Sequence, residues 1–380
     1  MTVPTPDDPW SVVDKVGQSP PVDCTKPYNT STLAGKTILI TGGASGFGAA
    51  FARHWARHGA HIIIGDVNDA AGEALVAELR SSSSSASKPS TVTQPQQQHF
   101  AYQHCNVTSW AEQVSLFQTA LAGSPTGSID AVVAGAGVAD PNSNFDRPRR
   151  LDPTTTAGGD HHPAAPPAQP PLNVLAVNLT GVMYTAHLAL WYLARNPPGR
   201  DRHLLLVSSI AGVAPLPGQA EYTASKHGVM GLFRALRGTA YVTRSLRVNV
   251  LNPYFVDTPI ITKGALALLA GAPMAELDDV VDAATRLVAD EGIVGRALMI
   301  GPKMDVVDEE VDGEDVGVRL ARRGEHGRRQ AVWEIYGHDF ERVETFVWRY
   351  LSLMNTVKAI NGWIGFVKDI WGIYFGGRRR

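Results

Sequence analysis

Cysteine is almost missing. Cys24 and Cys105 are two in 380 residues, too few for a disulfide framework, and their scarcity suits a reducing compartment. Net charge is small, formally −2, so the chain as a whole carries no basic footprint for nucleic acid. No uninterrupted apolar run is long enough for a bilayer. The start, MTVPTPDDPW, has neither the basic residues nor the apolar stretch of a secretory signal, so the expected location is cytoplasmic. His161 and His162 sit in a proline-rich stretch without further ligands at suitable spacing, and no metal site is expected. Against these absences stands a hydrophobic content of 44%, enough for one large core with extensions.

Residues 1–33 are rich in Pro, Thr, Ser and Asp and read as an irregular arm. From Lys36 the texture changes. KTILITG is a short β-branched run ending in glycines, the pattern of a buried parallel strand. A helix is expected over 47–58, stopped at Gly59, then HIIIGD as a second strand and a helix over 69–80. IDAVVAG, HLLLVSS, LRVNVLNP and GRALMI read as further strands, and 173–195, 221–237 and 278–289 as further helices. This alternation predicts an α/β fold whose parallel sheet is covered on both faces. The domain is expected over 34–305, with a Ser/Gln-rich insertion at 81–98 and a Pro-rich one at 140–171. Beyond Asp305, VVDEEVDGED is acidic and RLARRGEHGRR basic; an aromatic-rich tail follows from Val332 and ends in GGRRR. In that tail Val347, Leu351, Met354, Val357, Ile364, Val367, Trp371 and Tyr374 recur at helical spacing, so 306–380 is expected to be a helical extension. Packing on the catalytic domain, at the substrate mouth or in a dimer is the favoured role. Peripheral contact with a membrane is the alternative.

The first strand runs into TGGASGFG, with Gly42, Ser45, Gly46, Phe47 and Gly48 leading into a helix. Glycine serves there for a tight turn, for close approach to a pyrophosphate and for packing helix on strand, while the helix start offers free N–H groups. Asp66 ends the second strand about 20 residues on, where an acid meets an adenosine ribose. A carboxylate accepts from ribose hydroxyls and repels a 2′-phosphate, and no Arg or Lys follows closely. NAD is therefore expected as cofactor rather than NADP; the other reading of Asp66 is a helix cap.

Tyr222 and Lys226 are four apart, which on a helix puts both on one face. A neighbouring ammonium, together with the positive charge of an oxidised nicotinamide, is expected to lower the phenol from its usual ~10. Tyr222 then acts as general acid/base toward an alcohol or ketone. Ser209 ends an apolar strand, where open α/β sheets hold ligands, and is expected to hold the substrate oxygen. Asn178, in an apolar helix pattern, is read as fixing a water between Lys226 and solvent.

With these residues the chain resembles the short-chain dehydrogenases/reductases over roughly 33–302. The resemblance implies a Rossmann-type doubly wound sheet of about seven parallel strands, and a catalytic set of Asn178, Ser209, Tyr222 and Lys226 with Asp66 on the adenosine ribose. It also implies cofactor contacts from Asn106, Val107, Gly135, Pro253, Val256 and Thr258, and pairing into a homodimer through the helices bearing Asn178 and Tyr222. SSIAG, GQAEYTASKHGVMG and NPYFVDTPI look most like NAD-dependent 15-hydroxyprostaglandin dehydrogenases and their fungal-type relatives. That likeness implies Gln219 as a substrate contact and a bulky, lipid-like secondary alcohol or ketone as substrate. Three positions depart from the family pattern. NNAG is AGAG at 134–137, the Asp after strand three is Asn106, whose amide oxygen is left to accept from adenine, and the glycine of the PG motif is Tyr254. Two other functions stay open: a biosynthetic ketone reductase using NAD(P)H, and a non-catalytic NAD-binding regulatory protein.

Overall fold

The computed structural model describes residues 18–86, 98–140, 170, 172–261, 263–311, 315–322, 325–336 and, in the tail, 353, 356, 360, 363 and 364. Strand β1, Thr37–Thr41, is buried along its whole length and is flanked by β2, His61–Asp66, and β4, Ala131–Ala134. Side chains alternate across the sheet as strand geometry demands. Ile38, Ile40, Ile62 and Ile64 enter one core, and Leu39 and Ile63 the other, so both faces are covered. The first core is closed by helices α1, Gly46–Arg57, and α7, Leu277–Ala289; Trp55 is packed between them and its Nε1 donates to Thr285 Oγ1 at 2.9 Å. The second is closed by α3, Trp110–Gly123, α4, Asn173–Leu193, and α5, Ala220–Arg244. Helix α2, Asp69–Ala86, leads to β3, Phe100–His104, and a short α6, Lys263–Leu268, precedes α7.

Among the described residues the sheet has nine strands, in the order β3-β2-β1-β4-β5-β6-β7-β8, with β9 also on β7. β5 is His203–Val207, β6 Arg247–Pro253, β7 Ala297–Val311, β8 Asp315–Leu320 and β9 Arg328–Ile335. Pairing is parallel from β3 through β7, and the order reverses between β1 and β4: this is the doubly wound α/β fold expected. β8 and β9 are antiparallel to β7.

The flank beyond Asp305 corrects the expected helical extension, because 306–311, 315–320 and 328–335 are strand. Val306 is fully buried and Ala331 and Val332 join the first core, so these strands are held by burial, with exposed ion pairs added. The acidic run on β7 faces the basic run on its neighbours, with Arg319 on Glu309 at 3.5 Å and Arg328 on Asp308 at 3.2 Å. Of the tail, Leu353, Ile360, Trp363 and Ile364 are helical and exposed, while Val347, Leu351, Met354, Val357, Val367, Trp371 and Tyr374 lie outside the described residues.

Other boundaries moved. Helix α2 runs six residues into the serine tract, whose Ser81 and Ser82 hydroxyls bond back to the Glu78 carbonyl. Gln98 is an anchor, its amide donating to the carbonyls of Ala56 and Ala60. Residues 87–97, and nearly all of the Pro-rich insertion, lie outside the described residues. The described part of the N-terminal arm is irregular apart from a 3-10 turn at Thr30–Leu33. It is clasped to the body, because Arg286 donates to the carbonyls of Asp23, Cys24 and Lys26, and Glu334 accepts from the Val22 N–H. Helix α4 is long and apolar enough to cross a membrane by length and composition, yet Val182, Ala186, Ala189 and Leu193 are core residues of this fold.

Candidate active site

The C-terminal ends of the parallel strands carry the expected residues. In the β1–α1 turn, Gly42 and Gly46 have left-handed φ of +66° and +49°. A Cβ on Gly42 would lie 2.6 Å from Ala136 Cα, and one on Gly48 would lie 2.3 Å from the Gly42 carbonyl oxygen. The turn thus presses against the loop after β4, and α1 starts directly above it. The first turn of α1 has no acidic residue, and Ser45 makes no side-chain cap, so its N–H groups and dipole remain available to an anion. Asp66 accepts from Ala44 N–H at 3.0 Å and Asn68 N–H at 3.0 Å, which sets its carboxylate against the glycine turn. The helix cap that Asp66 was open to providing belongs to Asn68, whose Oδ1 accepts from Ala71 N–H. These groups could hold a dinucleotide: the turn of Gly42, Ser45, Gly46, Phe47 and Gly48 would take its phosphates and Asp66 its ribose.

A cavity of about 610 Å³ continues from this turn. Phe47, Gly135, Ser209, Gln219, Tyr222, Lys226, Pro253, Val256 and Thr258 of the expected set line it. So do Tyr254, the departure from the PG motif, and Ile210, Leu216, Phe255, Ile260 and Ile261, which were not anticipated as lining. Tyr254 and Phe255 meet edge to face, with ring centroids 4.9 Å apart. Asn106 and Val107 are not among the lining residues: Val107 is buried against Gly181, and Asn106 is exposed after β3. The Asn106 Oδ1 expected to face adenine is engaged within its own turn. That oxygen already accepts from the N–H and hydroxyl of Thr108, at 3.0 and 2.8 Å, an Asx turn that uses both lone pairs.

Tyr222 and Lys226 share one face of α5, the ammonium lying 5.7 Å from the phenol ring centroid. The Tyr222 and Ser209 hydroxyls face the same cavity, and Ser209 Oγ accepts from Ala211 N–H at 3.1 Å. Lys226 is buried, and its Nζ donates to the Val207 carbonyl at 3.1 Å. Burial pushes the Tyr222 phenol up, only partly offset by Ser209, and it lowers the Lys226 ammonium to about 8. The expected acidification of Tyr222 by Lys226 is therefore not a property of the protein alone. Desolvation of the phenolate sets the direction here.

Asn178 lies in a π turn, Ala176–Gly181, inside α4. Its Oδ1 accepts from Val138 N–H at 2.8 Å, and its Nδ2 donates to the Val138 carbonyl at 2.9 Å and to Ser225 Oγ at 3.3 Å. The amide thus braces the loop after β4. A Cβ on Gly137 would lie 3.5 Å from Asn178 Oδ1 and 3.6 Å from Lys226 Nζ, ordinary contact distances, so both groups flank this glycine. Among the described residues no cluster of His, Cys, Asp and Glu is built to hold a metal.

The short chain dehydrogenase family model matches residues 36–265. This chain belongs to that family. It is therefore an oxidoreductase acting on CH–OH groups with a nicotinamide cofactor. The chain is 36% identical over 296 residues to 5′-hydroxyaverantin dehydrogenase of Dothistroma septosporum, covering 74% of this chain and 90% of that one. To 5′-hydroxyaverantin dehydrogenase of Emericella nidulans it is 37% identical over 313 residues, covering 77% and 93%. NADP-dependent dehydrogenase M3 of a Phoma species is 33% identical over 280 residues, covering 70% and 74%. Among solved structures, levodione reductase superposes with a TM-score of 0.54 at 21% identity, covering 70% of this chain and 96% of that one.

Proposed function

We propose that the chain is an NAD-dependent dehydrogenase for a secondary alcohol carried on a bulky hydrophobic molecule, with Tyr222 as general acid/base. One observation carries this reading: Tyr222 and Ser209 line one largely apolar cavity together, with buried Lys226 beside Tyr222. Ser209 holds the substrate oxygen beside Tyr222. Tyr222 takes the alcohol proton in oxidation and returns it in reduction. A bound oxidised nicotinamide supplies the hydride acceptor and a positive charge that favours phenolate. Lys226 contacts the nicotinamide ribose, and Gln219, at the start of α5, contacts the substrate. Asp66, with no neighbouring cation in the turn, supports NAD.

The substrate class is supported by the apolar lining from Phe47, Ile210, Leu216, Phe255 and Ile260. It is supported also by relatives whose names place them on a hydroxylated metabolite, and by the resemblance of the Tyr222 segment to 15-hydroxyprostaglandin dehydrogenases. A reductive use with NADPH is the second reading, favoured by the relative named NADP-dependent. Purified protein is expected to reduce NAD with a hydrophobic secondary alcohol, and Tyr222→Phe to abolish the reaction; retained turnover would defeat the mechanism. A strong NADPH preference in the ketone direction would defeat the assignment of Asp66. We further propose a homodimer through α4 and α5, since Met183 and Trp191 stand about half exposed on α4.

A further inference from the structure

Helix α5 presents two adjoining rows of side chains. Tyr222 and Lys226 face the cavity, while Glu221 and Ser225, one position earlier and again four apart, face α4. Glu221 is completely buried. Its Oε1 accepts from the N–H groups of Val174 and Leu175, both at 3.1 Å. Leu172, which precedes α4, offers no side-chain cap, so the carboxylate that closes this helix start comes from the neighbouring helix. Its Oε2 is buried without a hydrogen-bond partner among the described residues. Burying a carboxylate with one bare oxygen is a poor way to stabilise a fold, even at the positive end of a helix dipole.

What the anchor holds is the π turn. Such a turn inserts one residue into the helix, and its loss would rotate one part of the helix against the other by about 100°. The far end of the turn is pinned separately. The Gly181 carbonyl accepts from Gln113 Nε2 at 2.9 Å and Thr185 Oγ1 at 3.0 Å. Asn178 lies between these two fixed ends.

We propose that Glu221 is a positioning residue that anchors the start of α4, keeps the π turn in register and so holds Asn178 beside Lys226. The proposal rests on the reading of the Tyr222 site as the reacting site. In the full-length protein Glu221→Ala is expected to lower kcat roughly 10- to 100-fold, with alcohol KM and NAD Kd within about threefold, because a misplacement near 1 Å suffices for such losses. The Val174 and Leu175 amides are expected to exchange faster with deuterium. Glu221→Gln, which keeps the Oε1 acceptor, is expected to restore kcat to within about threefold. Glu221→Asp, which retracts the carboxylate while preserving charge, is expected to fold and to lose kcat, so the test survives if the alanine variant does not fold. Wild-type kcat in the aspartate variant, a glutamine variant as slow as the aspartate one, or unchanged exchange of the two amides would overturn the proposal. Amide exchange needs no substrate, so it tests the anchor even if wild-type protein turns over no alcohol, a result that would defeat the dehydrogenase reading instead.

Discussion

Lys226→Met separates what the site contributes to chemistry from what it costs the fold. The lysine is buried, and burial is what takes its pKa from the ordinary 10.5 to about 8. A folded-state value below the unfolded one means that the folded chain holds its proton less tightly. The ammonium is therefore a destabilising group at neutral pH, and the penalty fades as pH rises from about 8 toward 10.5, where the unfolded chain also loses the proton. Linkage puts the penalty at about 3 kcal/mol at pH 7 and about 1 kcal/mol at pH 10. Methionine has similar length, no charge and a flexible stem that fills irregular space. The variant should therefore unfold about 5 °C higher than wild type at pH 7, with the gain shrinking by more than half at pH 10. Its NAD-linked activity should fall at least ~100-fold. Thermal denaturation at both pH values, alongside a turnover assay, measures all three quantities. A variant no more stable than wild type at pH 7, or a gain that does not shrink at pH 10, would refute the claim that desolvation dominates this lysine.

Asp66→Ala removes the carboxylate that faces the glycine turn, and calorimetry is expected to show the NADP-to-NAD Kd ratio falling at least ~10-fold. An unchanged ratio would remove Asp66 from cofactor choice. Met183→Arg places a charge on the exposed apolar face of α4 and is expected to convert the dimer to monomer by light scattering. A wild-type monomer would remove the proposed dimer, and a variant that still dimerises would move the interface elsewhere.

The nucleotide half of the fold was readable because its signals are short and local. Alternating apolar residues, glycines that tolerate no Cβ and a well-spaced acid all lie within β1, α1 and β2. Helix α3 was missed although its start is signalled: Ser109 accepts from Glu112 N–H in the S-x-x-E pattern of a helix start. Its buried face, Gln113, Leu116, Phe117 and Ala120, follows helical spacing too. Across the β7 flank, hydrophobic periodicity gave no strand signal, because charged residues occupy the pairing surface. The informative pattern was instead an acidic block followed, one hairpin later, by a basic block.

The site shows a sharper limit. Ser209, Tyr222 and Lys226 could be found because their chemistry depends on side-chain types at fixed spacing. Glu221 stands beside Tyr222 in the same stretch, yet its partners are backbone N–H groups 46 and 47 residues earlier, and a backbone group leaves no trace in a sequence. Sequence reading identifies the groups that could react, whereas the groups that hold them are recognised only once the backbone is in place. A substitution that spares every reacting side chain, such as one at Glu221, is therefore the kind whose effect the motif alone would never forecast.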